Sequence, residues 1–69
     1  MKENILQLQV ESALLQDRLT QEYGIEVLDS NGVITLRGMV PNHQVREQAE
    51  AVAREVAGVT YVINELDVV

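Results

Sequence analysis

The sequence predicts an α+β fold in the order α-β-β-α-β, and three observations predict it. Asn31-Gly32 is a two-residue turn signal between apolar runs that alternate with polar residues. An alanine-rich helical run, His43 to Ala57, leads from the second of those runs into a third, Thr60 to Val68. Ahead of all three lies a stretch of good helix formers without glycine or proline. At 69 residues the chain has room for one domain, residues 1–69, and so short a chain buries a smaller share of its surface than a larger one does.

The first helix is expected from Glu3 to about Leu19. Leu6, Val10, Ala13 and Leu14 recur at spacings that place them on one face, while Ile5, Leu8, Leu15 and Leu19 fall in a separate sector roughly opposite. One stripe must cover the sheet. The other has three readings: Leu15 and Leu19 close the edge of the core while Ile5 lies in a frayed turn; Ile5, Leu8 and Leu15 form a homodimer seam or a contact for a partner helix; or the stripe meets a membrane. Gly24 closes this region.

Ile25 to Leu28 is expected to pair antiparallel with Val33 to Val40, because Asn-Gly readily takes the positive φ angles of a type I′ hairpin. In the second strand Ile34, Leu36, Gly38 and Val40 share the face toward the helices. Gly38 on that face marks a bulge or the close approach of a helix backbone. Pro41 stops the strand, and Asn42 is placed to cap the next helix.

Along the second helix Val45, Ala49, Val52, Ala53 and Val56 lie in a narrow arc. Arg46, Glu50 and Arg54 are spaced for two i, i+4 ion pairs on the exposed side, and Gly58 is expected as the left-handed C′ residue with Val59 making the accompanying apolar contact. In the last strand Val62, Asn64, Leu66 and Val68 are expected to face inward, with Asn64 satisfied by backbone hydrogen bonds or a strand edge. The helical connection makes the second and third strands parallel, with a right-handed crossover if they share the sheet.

Composition excludes several functions. The formal charge of −6, from eleven acidic and five basic residues, repels phosphate backbones, and neither phenylalanine nor tryptophan is present to stack on bases, so nucleic acid is an unsuitable partner. Without cysteine there are no disulfides, thiolate metal sites or cysteine nucleophiles. His43 is the single histidine and falls at a helix start, where a surface role outweighs zinc binding or general base catalysis. Ser12 and Ser30 lack a histidine and carboxylate arrangement, and the four glycines are too dispersed to cradle phosphate. Asp29, Ser30 and Asn31 offer oxygens without the spacing of a calcium loop, and turn chemistry explains them better. The reading is therefore of a protein that is not an enzyme, with no metal or cofactor and no evident small-molecule substrate.

Two surfaces remain. One is the second stripe of the first helix. The other is the sheet face away from the helices, which would show Leu28, Val33, Thr35, Arg37, Met39, Tyr61 and Ile63: apolar for a solvent face, with one cation among aliphatic, aromatic and thioether groups.

Segment by segment the chain resembles the BON domain family. Leu6, Val10, Ala13-Leu14 and Asp17 are similar to its opening helix, and Ile25 and Val27 to its first strand. Gly32 through Gly38 and Val40 are similar to its hairpin and central glycine, and Ala49, Ala53, Gly58-Val59, Val62, Asn64, Leu66 and Val68 to its closing half. The resemblance implies two helices packed on one face of a three-stranded mixed sheet, and no catalytic activity. It also implies association with phospholipid or membrane surfaces, since such modules occur in bacterial envelope proteins, often in tandem, while others accompany potassium-binding or mechanosensitive-channel proteins. The single copy, the amino terminus without an apolar signal core and the negative charge depart from the envelope members, and the charge opposes anionic headgroups.

The expected function is a noncatalytic interaction module, part of a longer protein or a small bacterial protein, acting through apolar contact with itself as a homodimer or with another protein through Ile5, Leu8 and Leu15. The alternative is weak docking on a phospholipid surface through Arg37, Met39, Tyr61 and Ile63. Asn31, Gly32, Gly38, Gly58 and Asn64 are read as structural. As written the chain reads as soluble and cytoplasmic, or periplasmic if an upstream signal peptide has been omitted.

Overall fold

A computed structural model describes residues 4–69. It contains α1 (Ile5–Gln16), β1 (Glu26–Ser30), β2 (Val33–Val40), α2 (His43–Arg54) and β3 (Tyr61–Val68). The sheet order is β1-β2-β3, with β1 antiparallel and β3 parallel to the central β2. One sheet face, Val27, Ile34, Leu36, Val40, Val62 and Leu66, packs against Val10 and Leu14 of α1 and Val45, Ala49 and Ala53 of α2 in a single core. The α+β class and the element order are as expected from the sequence.

α1 begins where the Asn4 side chain accepts the amide of Gln7 at 3.0 Å, an N-cap. The Glu3 start expected from the sequence lies outside the described residues. At the other end the helix stops at Gln16, short of Leu19, because Asp17 turns extended (ψ 134°) and its carboxylate accepts the amide of Leu19 at 3.1 Å. That local bond offers the backbone an alternative to another helical turn. Thr20, only 1% exposed, then donates its hydroxyl to the Leu14 carbonyl at 2.6 Å and satisfies one of the carbonyls a helix end leaves unpaired. Thr20→Val keeps the shape and removes this bond, so we expect a loss of about 1–3 kcal/mol, read as a lower urea midpoint with unchanged circular dichroism.

The hairpin forms as the Asn-Gly signal predicts: Asn31 has φ 53° and Gly32 φ 90°, with Ser30 paired to Val33. Asp29 takes the role turn chemistry assigned it, accepting the Gly32 amide at 2.9 Å. Gly32 in turn accepts the Thr60 amide at 2.8 Å, which ties the hairpin to the chain leading into β3. β1 starts one residue later and ends two later than expected, with Ile25 standing just before it and packed half-buried on the core.

Gly38 has φ 142°, and a Cβ there would lie 3.2 Å from the Gly24 carbonyl oxygen and 3.7 Å from Ile25 Cα. The close approach predicted at this glycine is therefore real, but the segment leading into β1 makes it, and not a helix. Nor does a bulge interrupt β2: its register with β3 runs unbroken from Val33–Tyr61 to Val40–Val68.

Asn42 caps α2 by accepting the Val45 amide at 2.9 Å. The helix ends at Arg54 and not at Ala57, because the amides of Glu55 and Val56 bond to Val52 and Ala53 in the tighter i to i−3 pattern. Gly58 is left-handed, at φ 101°, but sits in the turn beyond the helix and not at C′; Val59 packs on the core as expected. Of the two expected ion pairs on α2 only Arg54–Glu50 forms. Arg46 instead reaches β3, donating through Nε to the Leu66 carbonyl at 3.1 Å and through Nη2 to the Asn64 carbonyl at 3.0 Å. A half-buried guanidinium fork on two fixed carbonyls outweighs an exposed ion pair.

Asn64 completes the arrangement. Its Nδ2 donates to the Arg46 carbonyl at 2.9 Å, and its Oδ1 accepts the Leu66 amide at 3.1 Å, so this polar interruption of the inward face is satisfied by backbone, as predicted. Val68, expected inside, is 37% exposed: it ends an edge strand and has a sheet neighbour on one side only.

Candidate functional site

α1 carries two apolar faces. Val10 and Leu14 are buried and Leu6 packs against them, whereas Ile5, Leu8 and Leu15 are 58%, 61% and 64% exposed. The spacing of these three gives one outward line at about 100° per residue, with Ser12 completing it and Gln9, Glu11 and Gln16 beside it. Leu15 therefore does not close the edge of the core. Leu19, also exposed, has left the helix, since Asp17 ends it first.

The outer sheet face is organised by register. Side by side across the strands run Ser30, Val33 and Tyr61; then Leu28, Thr35 and Ile63; then Glu26, Arg37 and Glu65; and finally Met39 and Asp67. The face thus has an apolar half near the hairpin and an acidic half away from it. Arg37, Met39, Tyr61 and Ile63 share the face but not a cluster: Tyr61 is level with Val33, six residues and about 20 Å along β2 from Met39. Arg37 is not an available cation, because its Nε donates to Glu65 at 2.9 Å and Glu26 stands across from it on β1.

A third feature was not singled out in the sequence. Between the C-terminal half of α1 and the segment leading into β1 lies an open groove of about 160 Å³ lined by Glu11, Leu14, Leu15, Tyr23, Gly24 and Ile25. Two glycines create it. Gly38 lets the Gly24 carbonyl settle onto β2, and nothing lies within 4 Å of where a Gly24 side chain would begin. The signal was present, since counting outward from the Asn31-Gly32 turn sets Ile25 opposite Gly38, but the meaning of Gly24 depends on where α1 ends.

Chemistry beyond contact has little to work with. Among the described residues no three His, Asp or Glu side chains gather into a metal-binding group, and no helix is long and apolar enough to cross a membrane. His43 is exposed at the start of α2, and Ser12 accepts a hydrogen bond from Gln16 Nε2 at 3.0 Å.

Comparison with known proteins agrees with this architecture. The BON domain family matches residues 2–69. Over 64 residues the chain is 39% identical to the outer membrane lipoprotein DolP of Haemophilus influenzae, a match covering 91% of this chain and 33% of that protein. The chain thus spans about one third of the length of the curated relative it matches. With the α-β-β-α-β order, the Asn-Gly hairpin and the central glycine all in place under a match over nearly the whole sequence, this chain belongs to the BON domain family.

Proposed function

We propose that this BON domain is a noncatalytic docking module of the bacterial envelope that engages protein through the outward face of α1. The observation that carries the proposal is the line Ile5, Leu8, Leu15, exposed along one helix side while the core beneath is complete without it. Scattered exposed leucines are ordinary, but Ile5, Leu8 and Leu15 stand on one line of a helix, interrupted by Ser12 alone. The name of the relative, an outer membrane lipoprotein, supports the envelope as the place.

Phospholipid binding is the second reading, favoured by the apolar half of the outer sheet face around Tyr61 and Ile63. It ranks lower because Glu26, Glu65 and Asp67 occupy the same face and repel anionic headgroups.

Site-specific photocrosslinking separates the two. A photoreactive residue at Leu8 is expected to give discrete protein adducts in the producing bacterium, lost when Leu15→Glu is added, with the far-ultraviolet circular dichroism unchanged. Lipid adducts from position 61 together with none from position 8 would replace docking on protein by docking on membrane.

A further inference from the structure

We propose that Asn31 is a site of spontaneous deamidation to isoaspartate, reactive in the unfolded chain and shielded in the folded one, with the Asp29 carboxylate and the packing of Gly32 as the shield.

The nucleophile is backbone. In an Asn-Gly pair the deprotonated amide nitrogen of the glycine attacks the asparagine side-chain carbonyl carbon, Cγ. A new N–C bond closes a five-membered succinimide, the side-chain nitrogen leaves as ammonia, and the proton given up by the glycine amide ends on that ammonia. One water then opens the ring. Attack at Cγ leaves aspartate in an ordinary backbone, whereas attack at the main-chain carbonyl leaves the chain running through Cβ and Cγ as isoaspartate. Nothing is oxidised or reduced. Of the four asparagines only Asn31 precedes a glycine, whose missing side chain leaves the nitrogen open to the ring closure; Asn4, Asn42 and Asn64 precede isoleucine, histidine and glutamate.

The fold withholds that nitrogen. Asn31 is exposed at the tip of the hairpin, but Gly32 is buried. Its amide donates to Asp29 Oδ1 at 2.9 Å, its carbonyl accepts the Thr60 amide at 2.8 Å, and a Cβ there would stand 3.0 Å from the Gly58 carbonyl oxygen. Taking the amide proton in place would break a charge-assisted hydrogen bond and set a nitrogen anion against a carboxylate, away from bulk water. Reaction therefore waits for the hairpin to open.

The product does not fit the fold. An isoaspartyl link lengthens the backbone by one atom inside a two-residue turn that sets Ser30 against Val33, and the register of β1 on β2 depends on that turn. Time spent unfolded is thus recorded as a permanent loss of the hairpin.

Wild type, Asp29→Ala, Thr20→Val and Asn31→Gly are incubated in mildly alkaline buffer with and without guanidinium chloride. Chromatography and mass spectrometry of the tryptic peptide spanning residues 19–37 separate asparaginyl, aspartyl and isoaspartyl forms and place the change at residue 31. In buffer, wild type is expected to react roughly tenfold or more slowly than in denaturant, a comparison that stands whether or not Asp29→Ala folds. Asp29→Ala, checked by circular dichroism, should react about tenfold faster than wild type in buffer, as the loss of a hydrogen bond to a charged group predicts. Thr20→Val lowers stability at the end of α1 and leaves Gly32 bonded, so it should stay within about twofold of wild type. Asn31→Gly keeps a residue that accepts positive φ and removes the reacting side chain, so it should refold in full after long exposure to denaturant while aged wild type does not. Wild type reacting as fast in buffer as in denaturant overturns the shield, and Asp29→Ala reacting no faster than Thr20→Val overturns the part given to Asp29. Aged wild type that carries isoaspartate at residue 31 and still refolds like Asn31→Gly overturns the loss of the hairpin.

Discussion

Ile34→Ala is expected to leave the domain largely unfolded at room temperature. Ile34 is fully buried on the central strand, set between Asp29 of β1 and Val62 of β3, in the core that the sheet forms with the two helices. Truncating a buried isoleucine to alanine costs about 2–5 kcal/mol, the removed methyl groups plus the cavity they leave. A single core in a chain below about 70–80 residues rarely supplies more than about 3–5 kcal/mol, and this chain has no cysteine to add a disulfide. The two quantities are equal in size, so this substitution should remove the urea transition altogether. Ile34→Val, at about 0.5–1.5 kcal/mol, should only move its midpoint. A clean cooperative transition for Ile34→Ala near the wild-type midpoint would show that the core does not centre on β2.

The second large effect is expected from Gly38→Ala. At φ 142° the backbone occupies a region almost confined to glycine, and holding a side chain there costs about 1–3 kcal/mol. The new Cβ would also meet the Gly24 carbonyl at 3.2 Å, and that carbonyl has little room to retreat because the Ile25 amide is bonded to Tyr23 at 2.8 Å. Melting should fall by about 4–8 °C for each kcal/mol lost. Gly24→Ala is the matched control: its Cβ meets nothing, so its melting temperature should remain near that of wild type. Equal losses at the two glycines would contradict the close approach at Gly38.

Much of the fold was legible because it is written in short-range chemistry. Asn31-Gly32 sets the hairpin register, period-two alternation sorts Ile34, Leu36, Val62 and Leu66 inward, and Asn42 marks the start of α2. Helix ends were not legible, because side chains decide them: Asp17 ends α1 by a local bond to the Leu19 amide that competes with helix in a run of good helix formers, and Thr20 by a bond to the Leu14 carbonyl that exists only once the chain has turned back. Arg46 was misassigned for the same reason, since spacing along α2 offers Glu50 while only the tertiary structure brings β3 within reach. Of the interaction residues, Ile5, Leu8 and Leu15 could be placed on one line from periodicity alone. That Arg37 is neutralised by Glu65, and that Tyr61 and Met39 stand at opposite ends, required the pairing of β2 with β3, residues 28 apart in the Arg37–Glu65 case.

The clasp of α2 on β3 bears on how such a domain behaves when many copies crowd together. β3 is eight residues long and forms the margin of the sheet, and an uncovered margin of that length templates strands from other chains into fibrils. Arg46 occupies the carbonyls of Asn64 and Leu66, and Asn64 occupies the amide of Leu66, so three of the groups that an incoming backbone would use in the middle of this margin are already taken. Open-ended growth through the main chain of β3 is thereby disfavoured, and contact with a neighbour on this side is left to side chains.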